Sequence, residues 1–413
     1  MQRWLAIALV LGCGCTASDP IGDTGAYLQR ASHREVTVAW RTRSPVVGRV
    51  EWGTDPAALD RVAEEAEPTR YHAVPLRELP PRTRVHYRYG TRDAMVSDPS
   101  LYFDVPPPPG EEASIRFWVL GDSGTGDAAQ AAVARAMRRE AETAPPDFLL
   151  HVGDIAYERG TARELVDRFF GVYADLLGNT VVWPALGNHE ARSIDEQGTG
   201  PWFDFFVLPT AGEAGGVPSG TEAWYSFDRG PGHFVVLDSS TDSLEPDGPM
   251  LRWLEADLAA DEARWTVAVL HHAPYSDGTH DADRDERMRR VRQNVVPILE
   301  RNGVDLVFSG HSHGYERTAL IAGAWSTPAG DRSRILDEAS PYEKKPGPLG
   351  GTVYVVAGHG GRATGGRLEH PLVVADGTAY GFLVVEMDEE EVRVRNVHAD
   401  GTPGDAFVLR EAR

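Results

Sequence analysis

Cysteine is nearly missing from this chain. Cys13 and Cys15 are the only two, and both fall within the first fifteen residues. The body that follows has no disulfide and no thiolate metal site, so any metal there must be held by oxygen and imidazole donors. Lysine is as scarce, with Lys344 and Lys345 alone; arginine supplies the rest of the 41 basic residues. Against 62 acidic residues the formal net charge is −21, which excludes a sequence-independent grip on a nucleic-acid backbone. A small anion is also repelled at long range unless its site carries cations of its own. No apolar run reaches the roughly 20 residues that a membrane-spanning helix needs.

What is present reads as a soluble globular protein of more than one domain, since 413 residues exceed one ordinary core. Residues 1–23 are expected to be a signal and tether. Met1-Gln2-Arg3 is a short basic start and Trp4 to Leu11 a short apolar run. Val10-Leu11-Gly12-Cys13 resembles a bacterial lipoprotein signal, in which Cys13 would be lipidated; the alternative is an ordinary cleaved secretory signal. Both readings export the protein from a bacterial cell, lipid-anchored at the envelope or secreted; only the lipoprotein reading attaches it to a membrane, through a lipid at Cys13.

Residues 24–105 carry short alternating segments separated by turn signals, among them Val36-Thr37-Val38-Ala39-Trp40 and Val85-His86-Tyr87-Arg88-Tyr89. Strands at this spacing predict a β-sandwich. No acidic or histidine cluster falls there, so no chemistry is assigned to it. Residues 106–112 form a stiff proline-rich linker. From 113 to 413 the pattern alternates between apolar strands and helical segments. Strands are expected at 115–120, 148–152, 181–186, 234–238, 265–270, 304–308 and 352–357, and helices at 127–142, 162–177, 250–262 and 285–302. That is a layered α/β domain, with a return to strands from 380 to 409. The stretch 324–350, rich in Pro, Gly and charge, reads as a long surface loop.

The residues just after these strands carry the chemistry. They are Gly121-Asp122-Ser123-Gly124, Gly153-Asp154-Ile155-Ala156-Tyr157, Gly187-Asn188-His189-Glu190, His271-His272-Ala273-Pro274 and Gly310-His311-Ser312-His313. Taken singly, a Gly-Asp is a turn and a His-x-His pair often binds nothing. Five separate strand ends that each deliver a metal-competent side chain are hard to explain as core filling, because ligands in layered α/β folds collect at the carboxyl ends of strands. The set holds enough carboxylates and imidazoles for two metal ions. Such a pair can clamp the attacking and leaving oxygens of a phosphoryl displacement and supply the positive charge that an acidic protein lacks. Tyr157 adds a hard phenolate oxygen, charge-matched to Fe(III).

The series Asp122-x-Gly124, Gly153-Asp154-x-x-Tyr157, Gly187-Asn188-His189-Glu190, Val269-x-x-His272 and Gly310-His311-x-His313 resembles the five-block pattern of purple acid phosphatases, in the calcineurin-like metallophosphoesterase superfamily. The resemblance covers roughly residues 24 to 410. It implies an N-terminal all-β fibronectin-III-like sandwich and a C-terminal four-layer (α-β-β-α) catalytic domain. It further implies that Asp122, Tyr157 and His313 bind Fe(III). Asn188, His272 and His311 would bind a divalent Fe, Zn or Mn, with Asp154 bridging the two. His189 would bind phosphate and protonate the leaving group, and His280 would contact phosphate. Attack would come from metal-bound hydroxide.

Of the two adjacent histidines, His272 fits the pattern because it precedes Ala-Pro, and His271 is expected to be its neighbour. His151 is expected to be structural, and Glu190 and Arg317 to brace their loops. His359 either reaches the site or caps a turn. The expected activity is that of an acid phosphatase on small phosphomonoesters. The same metal core would also serve a phosphodiesterase. A non-catalytic surface binding protein is the remote alternative, and it should have lost a ligand.

Overall fold

The alternation in the N-terminal region buries one face of each strand. In the strand Glu35–Val46, Val36, Val38 and Trp40 are buried, and the strand pairs antiparallel with Tyr27–Gln29 and Thr69–Arg77. A second sheet is built from Arg61–Glu64, Arg49–Gly53, Arg84–Gly90 and Met95–Val96, with Tyr102–Asp104 also on Arg84–Gly90. The two sheets face each other, and the Trp40 ring lies 5.4 Å from that of Tyr89 across the gap. This computed structural model describes residues 23–108, 111 and 114–412. The expected signal and Cys13 lie outside the described residues.

The first of these sheets does not stop at the sandwich. Leu28 of Tyr27–Gln29 pairs in parallel with Val181 of Val181–Pro184, and one sheet of ten strands results. It runs from Thr69–Arg77 through Val181–Pro184, Phe148–His151 and Ile115–Leu120. It continues through Gly381–Met387, Glu391–His398 and Pro403–Glu411 to Tyr342–Lys344. Tyr27 Oη donates to the Phe205 carbonyl at 2.8 Å and Gln29 Nε2 to the Val182 carbonyl at 3.3 Å, tying the join with side chains.

A seven-stranded sheet lies against the ten-stranded one. Its central members, Gly232–Val236, Trp265–His272, Leu306–Gly310 and Val353–Ala357, are parallel neighbours. Aromatic rings fill the space between the sheets: Phe117 meets Phe234 edge-on at 5.3 Å, and Phe148 meets Phe227 at 5.6 Å. The helix Ala128–Thr143, capped by Asp127 on Ala129 N and Gln130 N, packs on the far side of the first sheet against Gly381–Met387. Pro249–Ala260 and Val296–Arg301 cover the second sheet, where Leu254 and Leu299 join Ala268, Leu270 and Val307 in an outer core. The layers are therefore helix, sheet, sheet, helix.

The stretch 324–350 is a departure from the expected surface loop. It contains the strands Ile335–Asp337, paired with Leu320–Ile321, and Tyr342–Lys344, which edges the ten-stranded sheet. Tyr342 is buried, and the Lys344 ammonium is buried on the Asp305 carboxylate. The surrounding prolines and glycines mask this short strand, and its partner Pro403–Glu411 is remote in sequence.

Behind the seven-stranded sheet, His233 is buried between two carboxylates. Its Nδ1 lies 2.7 Å from Asp228 Oδ1 and its Nε2 2.9 Å from Asp257 Oδ2. Burial alone would push the imidazole down, but these two partners hold it up at about 10. A raised folded-state value stabilises the fold fully below the ordinary histidine value of 6.5, and the stabilisation is lost as pH rises through about 10. The stability advantage of wild type over His233→Gln should therefore shrink between pH 7 and pH 10 in chemical denaturation. An advantage that is flat or grows over that range would mean His233 is not held charged.

Candidate metal centre

Parallel strands from both sheets end at one rim. Ile115–Leu120 leads to Asp122, Phe148–His151 to Asp154 and Tyr157, and Val181–Pro184 to Asn188 and His189. From the other sheet, Trp265–His272 ends on its two histidines, and Leu306–Gly310 runs into His311 and His313. The turns are tight enough to force unusual backbone. Asp122 (φ 53°), Asp154 (φ 53°) and His311 (φ 68°) all hold the left-handed region, which costs roughly 1–3 kcal/mol per non-glycine residue and recurs at functional sites. Two of the preceding or neighbouring glycines are needed for close approach. A Cβ on Gly310 would lie 2.4 Å from Asp122 Oδ2, and one on Gly187 2.1 Å from Asp154 N.

The side chains gather in two groups of donors. In the first, Tyr157 Oη lies 3.1 Å from Asp122 Oδ1 and 3.4 Å from His313 Nε2, and His313 Nε2 is 3.7 Å from Asp122 Oδ1. In the second, Asn188 Oδ1 lies 2.9 Å from His271 Nε2 and 3.0 Å from His311 Nδ1, and His271 Nε2 is 3.4 Å from Asp154 Oδ1. Asp154 stands between them; ligand atoms of Asp122, Asp154 and His271 all fall within 4.8 Å of one another. Donors that share an ion at 2.0–2.2 Å are separated by about 3.0–3.4 Å. Both groups are close to that spacing, so the residues present fit a pair of ions.

The electrostatics point the same way. Asp122 and Asp154 are essentially unexposed, at 0% and 1%. Burial, then the Asp154 charge, pushes Asp122 well above the usual carboxylate range. Burial also pushes at Asp154, but the imidazoles of His271 and His189 outweigh it and hold it below its ordinary value. Tyr157 is driven up by burial and by the same two carboxylates. Burial brings His311 down to about 4 and His313 to about 3, so both are neutral imidazoles at pH 7, the form that ligates metals.

Of the seven expected ligands, Asp122, Asp154, Tyr157, Asn188, His311 and His313 come together as described. The fourth block departs from expectation. His271, not His272, reaches Asn188 and Asp154. His272 is buried beside His311, with ring centroids 4.3 Å apart, its Nδ1 2.9 Å from Ser239 Oγ and its backbone N–H donating to the same oxygen. Adjacent strand residues face opposite ways, and the register with Leu306–Gly310 shifts between Val269 and His272. The position two residues before the proline therefore does not by itself decide which ring faces Asp154.

His189 stands over the cluster. Its ring meets Tyr157 edge-on at 4.3 Å, Nδ1 lies 2.7 Å from the Glu158 carbonyl, and Nε2 lies 3.8 Å from Asp154 Oδ2. His280 lies 4.0 Å from the His311 ring. His359 does not reach the site; it is buried with Nε2 3.0 Å from Asn396 Oδ1. His151 is bonded to Ser123 Oγ at 2.9 Å. Glu190 accepts from Ala156 N and Gly187 N and so joins two of the loops, and Arg317 pairs with Asp405.

Two neighbours of the site escaped the sequence reading. Asp285 Oδ2 lies 3.5 Å from His311 Nε2 while Oδ1 accepts from Met288 N at a helix start. Arg362 lies over the Tyr157 ring. An acidic residue before a helix, and a cation after the Gly360-Gly361 pair, were their only sequence signals.

Residues 115–315 match the calcineurin-like phosphoesterase family, and the chain carries a metallophosphoesterase domain, a hydrolase by class. Its homologues include purple acid phosphatases. Purple acid phosphatase 1 of Ipomoea batatas is 26% identical over 80% of this chain and 70% of its own length. Purple acid phosphatase 21 of Arabidopsis thaliana is 29% identical over 78% and 67%, and phosphoenolpyruvate phosphatase of Allium cepa 26% over 80% and 68%. Among solved structures, purple acid phosphatase PPD1 from yellow lupin seeds superposes with a TM-score of 0.74 at 20% identity, over 94% of this chain and 74% of that one. PhoD superposes at 0.67 and 15%, over 96% and 91%. At these identities the structures speak for the fold alone. The purple acid phosphatase relationship implies a binuclear metal centre, and the two donor groups are its candidate.

The geometry separates the adjacent histidines experimentally. His271→Ala should lose about half the metal content by elemental analysis, whereas His272→Ala should keep it. The opposite pattern would return the ligand role to His272.

Proposed function

We propose that the chain is an exported phosphatase that hydrolyses small phosphomonoesters at a binuclear metal centre. Asp122, Tyr157 and His313 would hold one ion, and Asn188, His271 and His311 the other, with Asp154 shared. The observation that carries the reading is the pair of donor groups joined at Asp154, with near-ligand spacing in each. A tyrosine oxygen favours Fe(III) in the first position, and the amide and imidazole donors favour a divalent Fe, Zn or Mn in the second. When bound, such ions polarise phosphoryl oxygens and lower the pKa of a coordinated water.

The chain's own groups supply the rest. The Glu158 carbonyl accepts from His189 Nδ1–H and so fixes the ring with Nε2 toward Asp154. From there Nε2 can hold a proton beside a bound phosphate and deliver it to the departing alcohol oxygen. His280, stacked near His311, is placed to donate to a phosphate oxygen. Glu190 holds the Asp154 and Asn188 loops in mutual register through Ala156 N and Gly187 N. Export rests on the Val10–Cys13 pattern. A relative named for phosphoenolpyruvate supports a small ester as substrate.

Purified protein should contain two ions per chain and show a visible phenolate-to-Fe(III) band that Tyr157→Phe abolishes. Asp154→Asn should lower phosphomonoester turnover roughly 10²–10³-fold, the scale of losing a principal charge-organising group. One ion or none, together with a fully active Asp154→Asn, overturns the reading. Faster turnover of diesters than monoesters would make the enzyme a phosphodiesterase. For His189→Ala, both ions should remain while turnover falls about 10²–10⁴-fold; loss of an ion would make it a ligand instead.

A further inference from the structure

We propose that Arg362 is a specificity-determining residue that receives a second anionic group of the substrate, a carboxylate carried beside the phosphate ester. The inference rests on the phosphatase reading above. Its basis is the placement of one cation at the wall of the site. The Gly360-Gly361 loop is fastened to the first metal-loop candidate by backbone bonds: Gly360 N donates to Gly121 O at 3.0 Å and Arg362 N to Asp122 O at 2.9 Å. A Cβ on Gly361 would lie 2.5 Å from Ser123 O, so the loop rests directly on the strand end that presents Asp122. The origin of the Arg362 side chain is thereby fixed relative to the cluster.

From that origin the guanidinium lies 4.6 Å from the Tyr157 ring centroid, over the residue whose hydroxyl contacts Asp122 and His313. Its Nη1 donates to Glu158 Oε1 at 2.8 Å. Glu158 Oε2 is 4.0 Å from His189 Nδ1, and Arg192 Nη1 donates to the Glu158 carbonyl at 3.0 Å. Arg362, Glu158 and His189 thus form one wall beside the donor cluster.

The Arg362 and Glu158 side chains are 36% and 56% exposed. An ion pair this exposed contributes little to stability, so an incoming anion can take the place of Glu158 at small cost. The Glu158 carboxylate marks the chemistry of the replacement. A guanidinium fork suits a planar carboxylate, which it can bind through two parallel N–H donors. In a chain of net charge −21, such a cation at the site's wall also offsets the long-range repulsion of a doubly anionic ester. The alternative is that Arg362 merely pins the Glu158 loop.

The test compares phenyl phosphate with 2-carboxyphenyl and 3-carboxyphenyl phosphate, on wild type, Arg362→Ala, Arg362→Lys and Glu158→Gln. Wild type should favour at least one carboxylated ester. In Arg362→Ala the ratio of kcat/KM for that ester over phenyl phosphate should fall about tenfold, through KM rather than kcat, the scale of one charge-assisted contact. Arg362→Lys, which keeps charge without the fork, should fall between, and Glu158→Gln should lower KM for the carboxylated ester. An unchanged ratio in Arg362→Ala, or equal losses on all three esters, overturns the proposal. So does loss of metal in Arg362→Ala, which would make it a structural brace. If wild type hydrolyses none of the esters, the phosphatase reading fails. Calorimetric binding of 2-phosphonobenzoate against phenylphosphonate then judges Arg362 alone, with the same ratio expected to fall in Arg362→Ala and an unchanged ratio refuting it.

Discussion

Two carboxylates, Asp122 and Asp154, are buried beside each other at the meeting point of the two sheets. Like charges taken out of water cannot both persist without compensation, and much of the surrounding structure answers that constraint. Left-handed backbone at Asp122, Asp154 and His311 turns three loops inward. The backbone N–H groups of His311 and His189 donate to the two carboxylates. Four imidazoles, those of His189, His271, His311 and His313, stand around them. An assembly of this kind is poorly stabilised by its own charges and well arranged to receive cations.

The layers explain how five sequence-distant loops can meet this demand. Parallel strands from two different sheets end at a common rim, so each loop needs only a short reach. The aromatic packing between the sheets, around Phe117, Phe148, Phe227 and Phe234, holds the two halves of the site in fixed relation. Because the centre straddles both sheets, its precision depends on that core as much as on the loops. The fold alone is shared with proteins of varied function; the donor spacing is what points to chemistry.

Much of this was legible in the sequence. Apolar runs marked the strands, and the Gly-Asp, Gly-Asn and Gly-His steps after them marked the rim. Those signals are local, since a strand end and its turn occupy a few adjacent residues. What escaped depended on geometry that adjacent residues do not encode. Choosing between His271 and His272 required knowing that the ladder with Leu306–Gly310 shifts beyond Val269. The strand Tyr342–Lys344 is short, flanked by breakers, and defined by a partner, Pro403–Glu411, that comes only after several other strands. His359 is the imidazole of its loop but is bonded to Asn396, whereas Arg362, three residues on, lies against Tyr157.

The join between the N-terminal strands and the catalytic sheet sets an order on assembly. Gln29 bonds to Val182, 153 positions later in the chain, and Leu28 pairs with Val181. A chain made from its N-terminus therefore emerges with one side of Tyr27–Gln29 unpaired, and that side stays open until Val181–Pro184 exists. Closing so distant a contact is slow, and an open strand edge invites pairing with other chains. A strand synthesised early is thus among the last to gain its final neighbour.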